Sequence, residues 1–341
     1  MKTLLLIAPH SVHSTTFIKL VESNFSNIIL VSNKKVDLEL EHQEIVDFSL
    51  NLKNLFKIPS TLKALYAKYK PSHIHVHQAN SYAFYSALAF GENKKMVLTV
   101  WGSDIFLLPK KNFLMHWMVR FSVNRFSHFT ACSSTLADAL KDLLKDKSKY
   151  AVVANFGIEP VSCFAEKEKI FYTNRLHKPL YRITDIIKAF QLFKNNDSDG
   201  WRLVIAGEGS ETESLKELTN RLGLDADVEF VGWLDRQTNE QWYARATYWI
   251  SIPESDATSI SLMEAMAYGC IPVVSDLPAN KEVIENGVNG IVVDKVDYPF
   301  LNNLELDHAL ARAKNAEIVE QRATKTANRK LFCTIYDKAE E

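Results

Sequence analysis

The feature that most constrains this chain is a strand-to-helix alternation that runs through the first half and restarts near residue 161. In the first half "TLLLIA" and "NIILVS" flank the helical pattern "TTFIKLVESNF", and "HIHVH" and "MVLTVW" flank "SYAFYSALAFG". "HFTACS" and "YAVVANFG" close that series. The second half repeats the rhythm with strands "KIFYTN", "RLVIAGEG", "VEFVGW", "YWISIP", "IPVVSD" and "GIVVD". Its helical patterns are "ITDIIKAFQLFK", "ETESLKELTNRLG" and "ISLMEAMAYG". Short apolar runs that each lead into a helix predict parallel strands with helices on both faces. The fold class is therefore α/β, as two doubly wound Rossmann-like domains, which suits a chain of 341 residues. The expected boundaries are 1–160, 161–319 and a charged helical segment, 320–341.

Composition narrows the class. With 47% hydrophobic and 24% charged residues the chain is globular, and it has no apolar run of the length a spanning helix needs. The apolar run in "MKTLLLIAPH" is too short for a signal peptide. Cys132, Cys163, Cys270 and Cys333 are scattered without C-x-x-C spacing, which fits a reducing, cytoplasmic setting and gives neither a disulfide framework nor a zinc site. The acidic triplets "DSD" (197–199) and "DAD" (225–227) have no histidine beside them and read as solvated turns, so no metal site is expected. No G-x-G-x-x-G follows an early strand, which disfavours a dinucleotide dehydrogenase. The net charge of −1 conceals an asymmetry. Residues 1–160 carry 19 Lys and Arg against 12 Asp and Glu, leaving 21 against 29 for the remainder. The first half is the one suited to an anionic partner.

In open α/β sheets ligands bind where strands run into helices. The richest such junction is "ISIPESDATSISLMEAMAYGCIPVVSD" (250–276). Ser259 or Thr258 can cap a helix that starts near Ile260. Ala257, Thr258 and Ser259 are small enough for a ligand to approach the backbone, and free amides at a helix start favour phosphate. Glu264 follows about a turn later among Ile260, Met263 and Ala267. A carboxylate there needs hydrogen-bond donors, and a ribose diol would supply two. Spacing alone equally allows Glu264 to sit on a solvent stripe.

"SDATSISLMEAMAYGCIPVVSD" followed by "VIENGVNGIVVD" resembles the C-terminal signature of retaining GT-B glycosyltransferases, family four: two acids eight positions apart, an EAMA-like helix, a G-x-P turn and a later NG turn. Here the first acid is Asp256 in place of the usual glutamate. The resemblance runs over most of the chain and implies a GT-B fold, with two Rossmann-like domains facing across a cleft and the helix within 320–341 crossing back to the first of them. It implies that Asp256 holds sugar hydroxyls, that Glu264 holds the ribose, and that the amides of Ala257, Thr258, Ser259 and Ile260 face the diphosphate and sugar. "TNRLHKPLYRITD" offers Arg175, Lys178 and Arg182 to a departing diphosphate. Fixed cations there stabilise the transition state more than the ground state. Relatives resemble this with a Lys six residues after the Arg; here that position is Tyr181, with Arg182 next. The turn holding Gly207 and Gly209 would border the nucleotide, and Val231 and Trp233 would flank the base.

In the first half, "TVWGSDIF" has Trp101 where relatives often carry a histidine. By resemblance Trp101, Gly102, Ser103, His77 and His13 lie on the acceptor side, His13 in the expected cleft, and Asp104 orients an acceptor hydroxyl. His75 and His77 alternate on one strand face but lack a third metal ligand. "LLPKKNFLMHWMVRFSVNRF" (107–126) interleaves Lys110, Lys111, Arg120 and Arg125 with Phe113, Trp117, Phe121 and Phe126. That pattern suits the surface of an anionic bilayer and, equally, a helix packing its aromatics on a sheet. No nucleic-acid motif accompanies it.

The resemblance thus implies a metal-independent, retaining transferase without a cofactor. It would take a sugar from a nucleotide-sugar donor, UDP before GDP, to a glycan or lipid-linked acceptor in surface polysaccharide or glycolipid assembly. The expected address is the cytoplasm, where the basic first half and 107–126 also allow peripheral contact with the inner face of the membrane. A nucleotide-sugar epimerase, or a non-catalytic module binding the same donor, would share the crevice.

Overall fold

The computed structural model describes residues 2–159, 166–195, 200–294 and 299–340. The chain forms two compact units, Met1–Gly157 with Lys325–Glu341, and Ile158–Thr324.

The first unit is built on seven strands: β1 (Thr3–Ile7), β2 (Asn27–Ser32), β3 (His42–Ile45), β4 (His73–His77), β5 (Asn93–Val100), β6 (Phe126–Ala131) and β7 (Ala151–Val153). They pair in parallel in the order β3-β2-β1-β4-β5-β6-β7. Strand order reverses between β1 and β4, which opens a crevice at their carboxyl ends. Leu4, Leu5, Leu6 and Ile7 are fully buried, as expected for a central parallel strand covered on both faces. The helix Lys325–Lys338 belongs to this unit. Its Phe332 meets Phe17 edge-on at 5.1 Å, and its Tyr336 takes two histidines of β4. His73 Nε2 lies 3.0 Å from the Tyr336 carbonyl, and His75 Nδ1 lies 2.6 Å from its hydroxyl.

The second unit holds β8 (Glu168–Thr173), β9 (Arg202–Ala206), β10 (Val228–Gly232), β11 (Ala246–Ser251), β12 (Ile271–Ser275) and β13 (Ile291–Val293), parallel in the order β10-β9-β8-β11-β12-β13. The pleat sends successive residues to opposite cores: Phe171 and Tyr248 to one, Tyr172 and Trp249 to the other. The reversal here lies between β8 and β11.

Among the described residues several elements went unannounced in the sequence, three of them for plain reasons. β3 ("HQEI") is a polar edge strand. The helix Leu52–Tyr69 carries Pro59 within it. The helix Arg236–Arg245 buries only Tyr243, so it shows no apolar stripe.

Candidate functional site

The two loops at the second unit's reversal point carry most of the predicted donor residues. Arg175 lies just beyond the end of β8, and the segment from Glu254 to Glu264 follows β11. Arg175 Nη2 donates to Asp256 Oδ2 at 2.5 Å, and its guanidinium lies over the Tyr181 ring at 4.6 Å. Asp256 Oδ1 also accepts from the Ala257 amide at 2.9 Å. Burial raises the Asp256 pKa, and the Arg175 charge opposes that rise. The loops are zipped by Glu254 N–H to Leu180 O at 3.0 Å. Arg182, in left-handed backbone at φ 53°, reaches exposed Glu254 through Nε and Nη2 at 3.3 and 3.2 Å. Lys178 is exposed.

Ser259 caps the helix Ile260–Ala267: its backbone is extended and its hydroxyl accepts from the Leu262 amide at 3.1 Å. Thr258 does not share that role, since its buried hydroxyl donates to the Ala279 carbonyl. Ala257 is buried and Ile260 half-buried. Glu264 is half-buried as well, and Tyr243 Oη donates to its Oε2 at 3.3 Å. Burial pushes the Glu264 carboxyl up to about 7, against the pull of the Tyr243 hydrogen bond and the Arg236 charge.

Tyr243 was not foreseen, and it joins the two acidic and basic arms of the site. Asn174 Nδ2, beside Arg175, donates to Tyr243 Oη at 2.7 Å and to Asn239 Oδ1 at 3.0 Å. Asn174 Oδ1 in turn accepts from buried Trp249 Nε1 at 2.9 Å. A continuous hydrogen-bonded path thus runs from the Arg175 loop to Glu264. The only sequence trace of it was a Tyr on a polar segment.

The Gly207–Gly209 turn packs directly on the Arg175 loop. A Cβ at Gly207, where φ is +103°, would stand 2.7 Å from the Arg175 carbonyl oxygen, and one at Gly209 would stand 2.3 Å from that of His177. Only glycine fits either position. This turn, with His177, Phe230, Gly232 and Trp233, lines a cavity of about 750 Å³. Val231 is half-buried beside it, and Trp233 is 64% exposed at its edge. His177 Nδ1 pairs with Thr212 Oγ1 at 2.9 Å, which fixes its ring in the wall.

In the first unit the predicted acceptor-side residues form an aromatic group at the reversal between β1 and β4. The Trp101 ring meets His13 at 5.1 Å, His77 at 5.7 Å and Phe156 at 6.1 Å. His77 is fully buried and stacked on Phe156, and desolvation lowers its pKa to about 3. It is a neutral wall residue, with neither ring nitrogen hydrogen-bonded. Gly102 has φ +122° and Ser103 is exposed. Asp104 departs from its expected role of orienting an acceptor hydroxyl. It is 4% exposed, its Oδ1 accepts from the Trp101 and Gly102 amides at 3.0 and 2.8 Å, and its Oδ2 accepts from Ala79 at 2.7 Å. Those bonds make it the fastener of two loops.

His75 Nε2 lies 2.7 Å from Thr99 Oγ1, so both of its nitrogens are taken. Of the acidic triplets, Asp225 accepts from Asn220 and Asp227 pairs with Lys194 at 3.0 Å, while 197–199 lie outside the described residues, as does Cys163. Among the described residues no cluster of three His, Cys, Asp or Glu is arranged to hold a metal ion, and no helix is long and apolar enough to cross a membrane.

Comparison with known proteins fits this layout. Residues 158–326 match the family "Glycosyl transferases group 1" and residues 2–133 match "Glycosyl transferase 4-like". An uncharacterized glycosyltransferase of Haemophilus influenzae is 26% identical over 57% of this chain, a match that spans 54% of that relative. A lipopolysaccharide 1,6-galactosyltransferase of Salmonella typhimurium is 29% identical over 26% of each chain. The chain thus spans about half the length of the first of these relatives and about a quarter of the second. Among solved structures, Anabaena HepE in complex with UDP and glucose superposes with a TM-score of 0.81 at 16% identity, over 98% of this chain and 99% of that one. With a match to a glycosyltransferase family in each unit and the two-Rossmann architecture in common, the chain belongs to the GT-B glycosyltransferases.

Proposed function

We propose that the chain is a retaining transferase that moves a sugar from a nucleoside diphosphate sugar, UDP before GDP, to the hydroxyl of a glycan or lipid-linked acceptor in surface polysaccharide or glycolipid assembly. The observation that carries this reading is the Arg175–Asp256 pair beside the Ser259-capped helix start, with Glu264 one turn further on. The preference for UDP draws on the UDP held by HepE, and the acceptor class on the Salmonella relative's name.

In this reading the free amides near Ile260 face the diphosphate. Arg175 keeps donors beyond the one given to Asp256, and these meet the charge that grows as the glycosidic bond breaks. Asp256, held in place by Arg175, accepts from sugar hydroxyls. Glu264 accepts from the ribose diol. The cavity between the Gly207–Gly209 turn and Trp233 takes the base. Arg182 and Lys178 supply outer positive potential, with Arg182 shared with Glu254. No protein base is required: the acceptor oxygen bonds to the anomeric carbon on the same face from which the diphosphate departs, and a phosphate oxygen of that leaving group takes its proton, so configuration is kept. Trp101, Gly102, Ser103 and His13 serve the acceptor, and His77 backs them. The reaction is metal-independent and its address is the cytoplasm.

Calorimetry with UDP, GDP and their hexose conjugates tests the donor assignment, with saturable binding of a uridine member expected to be the tightest. Binding of none of them would end the reading. With an acceptor found, proton NMR of the first product should show the donor's anomeric configuration, in the presence of EDTA as in its absence. An inverted product, isomerised donor without acceptor, or complete loss in EDTA would each overturn the part it addresses.

A further inference from the structure

We propose that the outer helices of the first unit form a docking surface for an anionic lipid bilayer. Three helices, Leu52–Tyr69, Ser81–Phe90 and Phe113–Val123, lie side by side, with the second packed between the other two. Each connects parallel strands of one sheet, so each begins at the carboxyl end of that sheet. The aromatics of the third helix divide into two sets. Phe121 packs inward, against Phe84 at 5.8 Å and beneath the Arg125 guanidinium at 3.7 Å. Phe113 is 85% exposed and Leu114 62%, while Trp117, 47% exposed, stands between the sets with one side stacked on Phe121 at 5.2 Å; all three lie in the first two turns. The first helix does the same: Leu52 and Phe56 are 81% and 82% exposed, again in its opening turns. Two apolar ridges therefore stand at the same end of one layer, about 20 Å apart if neighbouring helices are spaced at the usual 8–10 Å.

Large apolar side chains exposed this fully, and gathered on two neighbouring elements, mark a contact surface. The charge around them selects the partner. Residues 48–137 contain eleven Lys and Arg and only two acids, Glu92 and Asp104. Asp104 is buried among backbone amides, so it presents no charge outward. Lys53, Lys57, Lys110, Lys111 and Arg120 are exposed within or beside the ridges. Along the sequence the acid nearest the first ridge is Asp47, which accepts a hydrogen bond from Ser49. A surface of projecting Phe, Leu and Trp set among lysines with no acids between them matches a lipid interface with anionic headgroups: rings and leucines enter the acyl boundary while the amines meet phosphates. A second copy of this chain would bring the same positive field against itself, which is repulsive.

The test uses the full chain, sedimented with vesicles of phosphatidylcholine alone or with about a third phosphatidylglycerol, at about 0.1 M and about 0.5 M salt. Partition to the anionic vesicles at low salt should exceed that to neutral ones at least about tenfold and fall steeply at high salt. Phe113→Ser with Leu114→Ser should abolish most of it at either salt. Lys53→Gln, Lys57→Gln and Lys110→Gln together should remove the preference for anionic lipid while leaving weak apolar adsorption. Nucleotide binding by calorimetry reports that each variant is folded, since none of these residues touches the donor site, and it separates failure here from failure of the donor reading. Equal partition to neutral and anionic vesicles, or no loss on removing Phe113 and Leu114, would overturn the proposal. So would a dimer in sedimentation velocity that those same two substitutions dissociate while vesicle binding persists.

Discussion

The two units share one plan and handle buried charge in opposite ways. Each is a doubly wound parallel sheet with loops gathered where strand order reverses. In the first unit the carboxylate and one histidine at that edge are satisfied by the chain itself, and a second histidine is buried with neither nitrogen bonded. Asp104 spends both oxygens on three amides, His75 is held by Tyr336 and Thr99, and His77 is sealed in aromatic rings. In the second unit Asp256 retains 25% of its side-chain exposure and Arg175 retains 10%, with donors left over. Glu264 has one long hydrogen bond from Tyr243 and an elevated pKa. A carboxylate closed off by amides fixes backbone. A carboxylate left half-satisfied beside an arginine and a helix start is one that a ligand can complete. The topology supplies the edge in both cases, and the number of internal partners decides what the edge is for.

The comparison breaks first at Arg175. Arg175→Ala is expected to lower turnover about 10²- to 10³-fold, the scale for removing one transition-state donor from a pre-organised site. Donor affinity should change less, and Arg175→Lys should recover little because the lysine lacks the fork that Asp256 and phosphate share. Steady-state kinetics beside calorimetry measure both. A loss confined to affinity would reduce Arg175 to a ground-state contact.

The counterpart in the first unit is Asp104. Asp104→Asn keeps one acceptor oxygen but turns an NH2 group toward another donor, either the Ala79 amide or the Trp101–Gly102 pair. A stability loss of about 2–3 kcal/mol follows from one broken charge-assisted bond and an unsatisfied buried amide. Urea melts of the two proteins measure it, and donor affinity should be unchanged. An Asn variant as stable as the parent but catalytically dead would return Asp104 to the chemistry from which its geometry removes it.

The contrast between the units was half legible in the sequence. Apolar runs such as "TLLLI" and "ATYWIS" announce their strands because both faces are covered. The helix Arg236–Arg245 does not announce itself, because one buried residue in ten leaves no periodic stripe, and that residue is Tyr243. Asp256 and Glu264 are visible as a spacing on one local segment. Their partners are not, since Arg175 closes on Asp256 from 81 positions away and that pairing is a property of the sheet order. Asp104 reads in sequence like any loop acid beside Gly and Ser. Its capture by amides depends on the turn through Gln78, at φ 72°, which brings Ala79 N–H to it.

The finest distinction rests on Glu264. Glu264→Gln should weaken binding of UDP-glucose by about 1–2 kcal/mol, the difference between a charged and a neutral acceptor for the ribose diol. The elevated pKa adds a direction. With the folded carboxyl at about 7, most Glu264 side chains are protonated at pH 6 and ionised at pH 8, and the diol prefers the ionised form. Affinity should therefore rise with pH across that interval, with a proton released on binding. UDP-glucose suits the measurement because its pyrophosphate is esterified at both ends and does not titrate near neutrality. Stability of the unliganded fold moves the other way. A carboxyl that is a weaker acid folded than unfolded holds its proton longer in the native state, so stability falls as pH rises from about 4.5 to about 7. The Gln variant should flatten both slopes while leaving the Asp104 fastening untouched. Parallel affinity profiles for the two proteins would assign the ribose to another group and leave Glu264 as internal to its unit as Asp104 is.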